Sequence, residues 1–307
     1  MKNLEQNGNI FELDKSFSTT RRVTKQKPLI KNQPEDKVKT QLFLPAKPDR
    51  KGEGGLRTQG YFKRSEKDKP LISVITVVFN GKKYLEQTIQ SVIHQTYDNV
   101  EYIIIDGGST DGTLDIIRKY EEMVDYWVSE PDEGISDAFN KSIRVSTGNW
   151  LNFLNAGDSF INNQMINEYV THFENKNISI VTAFAKIGRK GTIPKRILHD
   201  NDPLCKKALI SHQASFVEKK VFKKVGGFKT DYKIRMDYEL WLRVLQEYHF
   251  IFIDKIMVDY IKGGVSGKMV NLYHLEELKA NKHFCRSIII NIYLLLRYIK
   301  RILQNIL

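Results

Sequence analysis

Between residues 71 and 159 the chain repeats one pattern: an apolar run rich in β-branched residues, an amphipathic run, then polar punctuation. That alternation predicts a parallel sheet with crossover helices. Strands are expected at 71–79, 100–105, 126–129 and 150–154. A helix over 82–94 carries Leu85, Ile89, Val92 and Ile93 on one stripe. A second starts at Ser109, Thr110 and Asp111 ahead of Leu114, Ile117 and Tyr120, and a third covers 134–146 with Ile135, Phe139 and Ile143 inward. In such sheets ligands sit beyond the carboxyl ends of the strands. Here those ends carry Phe79 and Asn80, Asp106, and Asn155 to Asp158, so polar side chains collect along one edge.

The remainder reads as attachments to this unit. A helix is expected over 161–173, strands over 178–187 and 210–217, and a helix over 237–248 striped by Leu240, Trp241, Val244, Leu245 and Tyr248. Two edge strands follow at 250–253 and 256–261, then the GGVSG turn and a helix from about Val270. The polar stretch 188–206 is long enough to suggest a mobile functional loop. Charge is uneven. Residues 1–69 hold 17 Lys/Arg against 9 Asp/Glu and 279–307 hold 6 against none, so of the net +12 the stretch 70–278 carries −2. The folded middle is therefore not a nucleic-acid surface. Residues 1–69 read as a flexible, solvated basic extension, from which Leu56, Tyr61 and Phe62 could still pack onto the domain, or as an arm resting on anionic lipid. In 287–307, Ile289, Ile292, Leu296, Ile299, Leu303 and Ile306 recur at helical spacing opposite Arg297, Lys300, Arg301 and Gln304. Such a basic amphipathic helix lies on an anionic bilayer, or packs on its own domain or a partner subunit. No run is long enough to cross a membrane, and the N-terminus lacks a secretory apolar core, so export is not expected. Cys205 and Cys285 stand far apart, with neither disulfide-scaffold nor zinc spacing.

Several residues can carry chemistry, each against a plainer role. Asp106 ends a strand before two glycines, where a carboxylate accepts an imide N–H or ribose hydroxyl, or merely satisfies the turn. Asp158, in LNAGDS, suits a divalent cation shared with phosphate oxygens, or a local turn. Asp137 and Lys141 share a helical face beside Asn140, and grip a sugar and phosphate or form a surface ion pair. Asp237 opens its helix as a general base or as an N-cap. His212 and Gln213 lie in ISHQASF, where a lone His is usually structural.

Taken together, these segments resemble the family 2 glycosyltransferases of the GT-A fold, over about 70–267. SVITVVFN is similar to the family's first strand, with Val77 where Pro is common and Phe79 where a Tyr often stacks on the nucleobase. IDGGSTDGT resembles the nucleotide-contacting acid motif, with Asp106 at the base-reading position and Gly107 in place of a frequent second Asp. EPDEGISDAFNKSI is similar to a branch whose helix carries Asp and Asn-Lys near the donor sugar. LNAGDS stands at the D-x-D metal motif, with Asn155 and Gly157 replacing two acids and Asp158 as the remaining metal ligand. RMDYELWLR places Asp237 at the family's general base, with Met236 in place of a frequent Glu. No QxxRW segment occurs, which argues against a processive polymer synthase.

The resemblance implies an α/β Rossmann-like GT-A domain over 70–267 with a mixed central sheet, followed by a helical tail over 268–307. It implies donor contacts at Thr76, Phe79 and Asn80, at Asp106, Gly108 and Ser109, at Asp132, Gly134, Asp137 and Lys141, and at Asn155, Ala156 and Gly157. Asp158 would hold a divalent cation, Mn2+ or Mg2+. His212, Gln213 and Trp241 would face the acceptor, with Trp241 among apolar neighbours able to raise the pKa of the base Asp237. The implied activity is inverting sugar transfer from a UDP-linked donor to a saccharide or polyprenyl-linked acceptor. It serves bacterial surface polysaccharide, at the cytoplasmic face of the membrane through 286–307. Two rivals are a nucleotidyltransferase, for which VVFNGKKY is a poor pyrophosphate loop, and a non-catalytic sugar-nucleotide binder, favoured by the reduced D-x-D motif.

Overall fold

The computed structural model describes residues 9–188, 191–261 and 269–285, with positions 292, 294–296, 298 and 299. Ten strands form one mixed sheet: β1 (Gly52–Gly54), β2 (Ile72–Val78), β3 (Val100–Asp106), β4 (Tyr126–Ser129), β5 (Trp150–Phe153), β6 (Ser159–Phe160), β7 (Ile178–Ile187), β8 (Thr192–Ile193), β9 (Ser215–Glu218) and β10 (His249–Tyr260). Their order is β1-β4-β3-β2-β5-β9-β7-β10-β6, with β8 paired to β7. Strands β4, β3, β2 and β5 run parallel, as do β7 and β10, while β9 joins the two groups antiparallel.

Every residue of β2 and β3 is buried, because both sheet faces are covered. Ile72, Val74 and Ile104 pack under α1 (Leu85–Ile93) and α2 (Thr113–Lys119). Ile75, Val77 and Ile105 pack under α3 (Ile135–Val145), α6 (Lys219–Val225) and α7 (Met236–Val244), with α4 (Met165–Val170) and α5 (Leu204–Lys207) as short connectors. From β2 the chain winds outward through β3 and β4, then returns to the other side of β2 as β5. That reversal opens a crevice beyond the carboxyl ends of β2 and β5.

Three expectations change. The helix expected at 161–173 is only α4, and the two expected edge strands are the single β10, lying between β7 and β6. Its register shifts between Ile253 and Ile256, where polar Asp254 and Lys255 interrupt the apolar run and made one bulged strand look like two.

The third concerns residues 1–69. From residue 9 onward this segment is packed on the domain, not a solvated extension. β1 extends the sheet at β4, Ser18 N–H donates to Ile93 O at 2.7 Å, and Arg57 donates to Leu42 O and Val145 O at 2.7 and 2.8 Å. Arg57 also pairs with Glu101 of β3 at 2.6 Å, both side chains at most 3% exposed. Burial alone would raise the Glu101 pKa, but Arg57 and hydrogen bonds from Ser73 and Thr147 hold it below the usual value. An attachment made through such polar contacts leaves little apolar periodicity to read.

A further helix, α8 (Val270–Phe284), packs on α7. The GGVSG turn lies outside the described residues. So does most of the expected basic tail helix, of which only the six positions named above are described. No described helix is long and apolar enough to cross a membrane.

Candidate active site

The crevice is built from the loops that follow β2, β3, β4 and β5. The first two are knitted together. Asn80 takes a positive φ of 49°, its backbone N–H donates to Ser109 Oγ at 2.7 Å, and its Oδ1 accepts from Thr110 N–H at 2.9 Å. Asp106 is fully buried and committed inward: it accepts from Ser109 N–H at 3.0 Å, from Ser129 Oγ at 2.5 Å and from the Ser109 hydroxyl. These three bonds hold the turn and engage both carboxylate oxygens.

A different carboxylate occupies the vacated space. A Cβ added to Gly107 would lie 2.6 Å from Asp132 Oδ2 and 3.4 Å from Phe79 Cδ2. The missing side chain at 107 therefore makes room for Asp132, set beside the Phe79 ring, which is 66% exposed. Burial raises the pKa of Asp132, although Gly134 N–H donates to its Oδ1 at 2.8 Å. Gly134 opens α3 with a positive φ of 110°, and Gly108 has one of 80°.

Lys141 does not reach into the crevice. It is 3% exposed and pairs with Glu130 at 3.0 Å and Asp137 at 3.2 Å. Glu130, not singled out from the sequence, is the hub of this side. Its carboxylate also meets Arg50 at 2.8 Å and Lys47 at 3.4 Å, so the N-terminal segment supports the loop after β4. Lys51 adds a bond to Gly108 O at 2.7 Å.

Beyond β5 the polar groups are less satisfied. Asp158 is 3% exposed; Oδ1 accepts from Ile261 N–H at 3.1 Å, while Oδ2 has no hydrogen-bond partner. Burial pushes its pKa up to about 7. Asn155 Oδ1 is likewise buried without a partner. Two unpartnered oxygens suit a hard divalent cation, which takes oxygen ligands and keeps places for water and phosphate. Among the described residues no group of three or more His, Cys, Asp or Glu is placed to hold a metal. Gly157 N–H donates to Thr88 Oγ1 at 2.8 Å, and Ala156 N–H donates to Val77 O at 3.3 Å, which fixes this loop over the end of β2.

Asn155 leads to the residues expected to face an acceptor. Its Nδ2 lies 3.2 Å from His212 Nε2, and His212 Nδ1 lies 3.3 Å from Asp237 Oδ2. Asp237 sits in the first turn of α7, its side chain 21% exposed, with Arg235 Nη1 4.0 Å from its Oδ1. Burial alone would raise its pKa, but the His212 hydrogen bond and Arg235 hold it below the usual carboxylate range. The expected elevation is thus reversed. Trp241, expected to face an acceptor, is 2% exposed within the core. Thr76 is also interior, its hydroxyl bonded to Tyr102 Oη at 2.9 Å and Leu154 O at 2.8 Å. Gln213 is buried, accepting from Ser211 Oγ at 2.7 Å.

Phe79 and Asp132, then Asn155 and Asp158, then His212 and Asp237 therefore follow one another around the strand ends. Residues 73–238, which include all of these, match the family model described as glycosyl transferase family 2. The chain belongs to glycosyl transferase family 2. An uncharacterised glycosyltransferase of Mycobacterium tuberculosis is 32% identical over 204 residues, which cover 64% of this chain and 77% of that protein. A PGL/p-HBAD biosynthesis glycosyltransferase of Mycobacterium bovis is 27% identical over 217 residues, covering 68% and 84%. Among solved structures, S. aureus TarS 1–349 in complex with UDP superposes with a TM-score of 0.54 at 15% identity, over 68% of this chain and 64% of that one. The mannosyltransferase PcManGT from Pyrobaculum calidifontis, in complex with GDP-Man and Mn2+, gives 0.56 at 16%, over 71% and 65%. The chain thus spans just under two-thirds of these two solved chains, and the likeness is one of fold. This family 2 glycosyltransferase has the GT-A fold expected from its motifs.

Proposed function

We propose that this glycosyltransferase is inverting and non-processive, moving a hexosyl or N-acetylhexosaminyl group from a UDP-linked donor to a hydroxyl of a saccharide or polyprenyl-linked acceptor. The observation that carries the reading is the hydrogen-bonded series Asp237–His212–Asn155, which ties a solvent-reaching carboxylate to the loop of Asp158. The solved relatives with UDP and with GDP-Man and Mn2+ support a nucleotide-sugar donor and a divalent cation.

In this reading the nucleobase stacks on Phe79, and Asp132 rather than Asp106 accepts its N–H. Asp158 and Asn155 Oδ1 would hold a divalent cation, which would supply positive charge to the leaving diphosphate. Asp237 is ionised at neutral pH and receives the acceptor hydroxyl proton as that oxygen bonds to the anomeric carbon. Its low pKa makes proton transfer late, when the bonding oxygen has become strongly acidic. His212 keeps the carboxylate aimed, donating from Nδ1 to Oδ2. One base on one side of the sugar gives a single displacement, hence inversion.

The setting in bacterial surface polysaccharide is supported by the relative named for PGL/p-HBAD biosynthesis. Residues 286–307 would rest on anionic lipid at the cytoplasmic face, where a polyprenyl-linked acceptor is confined. The test is to screen UDP- and GDP-sugars with Mn2+ by thermal shift, then read the product's anomeric configuration by NMR. A stabilising UDP-sugar and an inverted linkage are expected. Retained configuration would refute the single displacement.

A further inference from the structure

Helix α8 lies outside the 73–238 family match, yet it grips the segment that presents Asp237. Glu276, 5% exposed, turns its carboxylate onto three consecutive backbone N–H groups. Oε1 accepts from Lys233 at 2.7 Å, and Oε2 accepts from Ile234 at 2.9 Å and Arg235 at 2.8 Å. These are the residues that lead into α7, whose N-cap Arg235 offers no side-chain cap of its own. A concavity of successive N–H groups is a fixed patch of positive potential, and a buried carboxylate is its natural filling.

Two further ties run the same way. Arg235 lies over the rings of Tyr238 and Tyr273, 4.4 and 4.5 Å from their centroids, 3.7 Å from Glu277 Oε1 and 4.0 Å from Asp237 Oδ1. Tyr238 Oη, on the residue after Asp237, donates to Asn281 Oδ1 at 3.1 Å. α8 therefore holds the residues on both sides of Asp237 in the chain.

We propose that Glu276 is a positioning residue for sugar transfer: by anchoring the backbone at 233–235 it fixes where the Asp237 carboxylate stands. The inference rests on Asp237 being the base. Displacing a reacting group by about 1 Å costs roughly 100-fold in rate. Glu276→Gln keeps the shape but turns an NH2 group toward backbone donors. It should lower kcat about 10- to 100-fold while leaving the donor KM and the donor-induced thermal shift unchanged. Glu276→Asp retains the charge but falls one methylene short. It should lower kcat in the same direction, and serves as the second variant if Glu276→Gln is recovered unfolded.

Wild-type kcat in either folded variant, or a kcat loss matched by an equal loss of donor affinity, would overturn the proposal. Asp237→Asn measured alongside separates the two claims. Turnover lost there but intact in Glu276→Gln overturns only the positioning role. Turnover retained in Asp237→Asn overturns the base assignment and this inference with it.

Discussion

Asp158→Asn should stabilise the metal-free protein above neutral pH, because Asp158 is a buried carboxyl that resists ionisation. Its folded pKa of about 7 lies above the ordinary 3.8. A group raised on folding favours the folded state below its unfolded pKa, and that contribution is lost as pH rises through the folded value. Roughly three units at about 1.36 kcal/mol each make the raised pKa cost about 4 kcal/mol at pH 8, where the folded carboxyl is ionised, and about 2 kcal/mol at pH 5, where it stays protonated while the unfolded one ionises. Asparagine never ionises and still offers an oxygen to Ile261 N–H, so it keeps the bond and avoids the charge. Urea unfolding in a chelator should find Asp158→Asn more stable than wild type, by a margin that grows between pH 5 and pH 8. Asp125 has the same upward shift in both proteins, and the comparison removes it. Adding Mn2+ at pH 8 should reverse the order, stabilising wild type and not the variant. A variant no more stable than wild type at pH 8 in chelator would refute the reasoning.

Other substitutions address other parts of the account. Phe79→Ala should weaken binding of a UDP-sugar by about 1–2 kcal/mol through lost stacking, with an unchanged melting temperature because the ring is mostly exposed; calorimetry with an unchanged Kd would remove it from the base site. Arg57→Ala leaves Glu101 buried and unpaired and should cost about 3–5 kcal/mol in denaturant unfolding. No cost there would mean that the N-terminal segment is only loosely attached. Deleting 286–307 should abolish sedimentation with anionic vesicles while soluble-donor hydrolysis persists; retained sedimentation would remove the tail from membrane binding.

The sheet was legible because β2 to β5 and their helices follow hydrophobic period alone, and covered faces leave no ambiguity about what is inside. Asp158, Asn155, His212 and Asp237 were legible as motifs, but the hydrogen-bonded series Asp237–His212–Asn155 was not, since β9 brings His212 beside β5 from far along the chain. Asp106 looked available because its bond from Ser129, which shares Oδ2 with Ser109 N–H, comes from another strand. Gly107 read as a lost acid, whereas Asp132 from the loop after β4 fills that space. Trp241 was correctly on the apolar stripe of α7, and that stripe is what keeps it from an acceptor. Of residues 9–69 only Leu56, Tyr61 and Phe62 looked able to pack, because much of the attachment runs through Arg50, Lys51 and Arg57, which in sequence look like solvated charge. Glu276 carries no sequence signal, since its partners are backbone amides.

Single-turnover transfer by Asp237→Asn, with donor affinity measured on the same preparation, tests the central claim most directly. The transfer rate should fall about 100-fold or more with donor Kd unchanged. Near-native transfer with the donor still bound would contradict it.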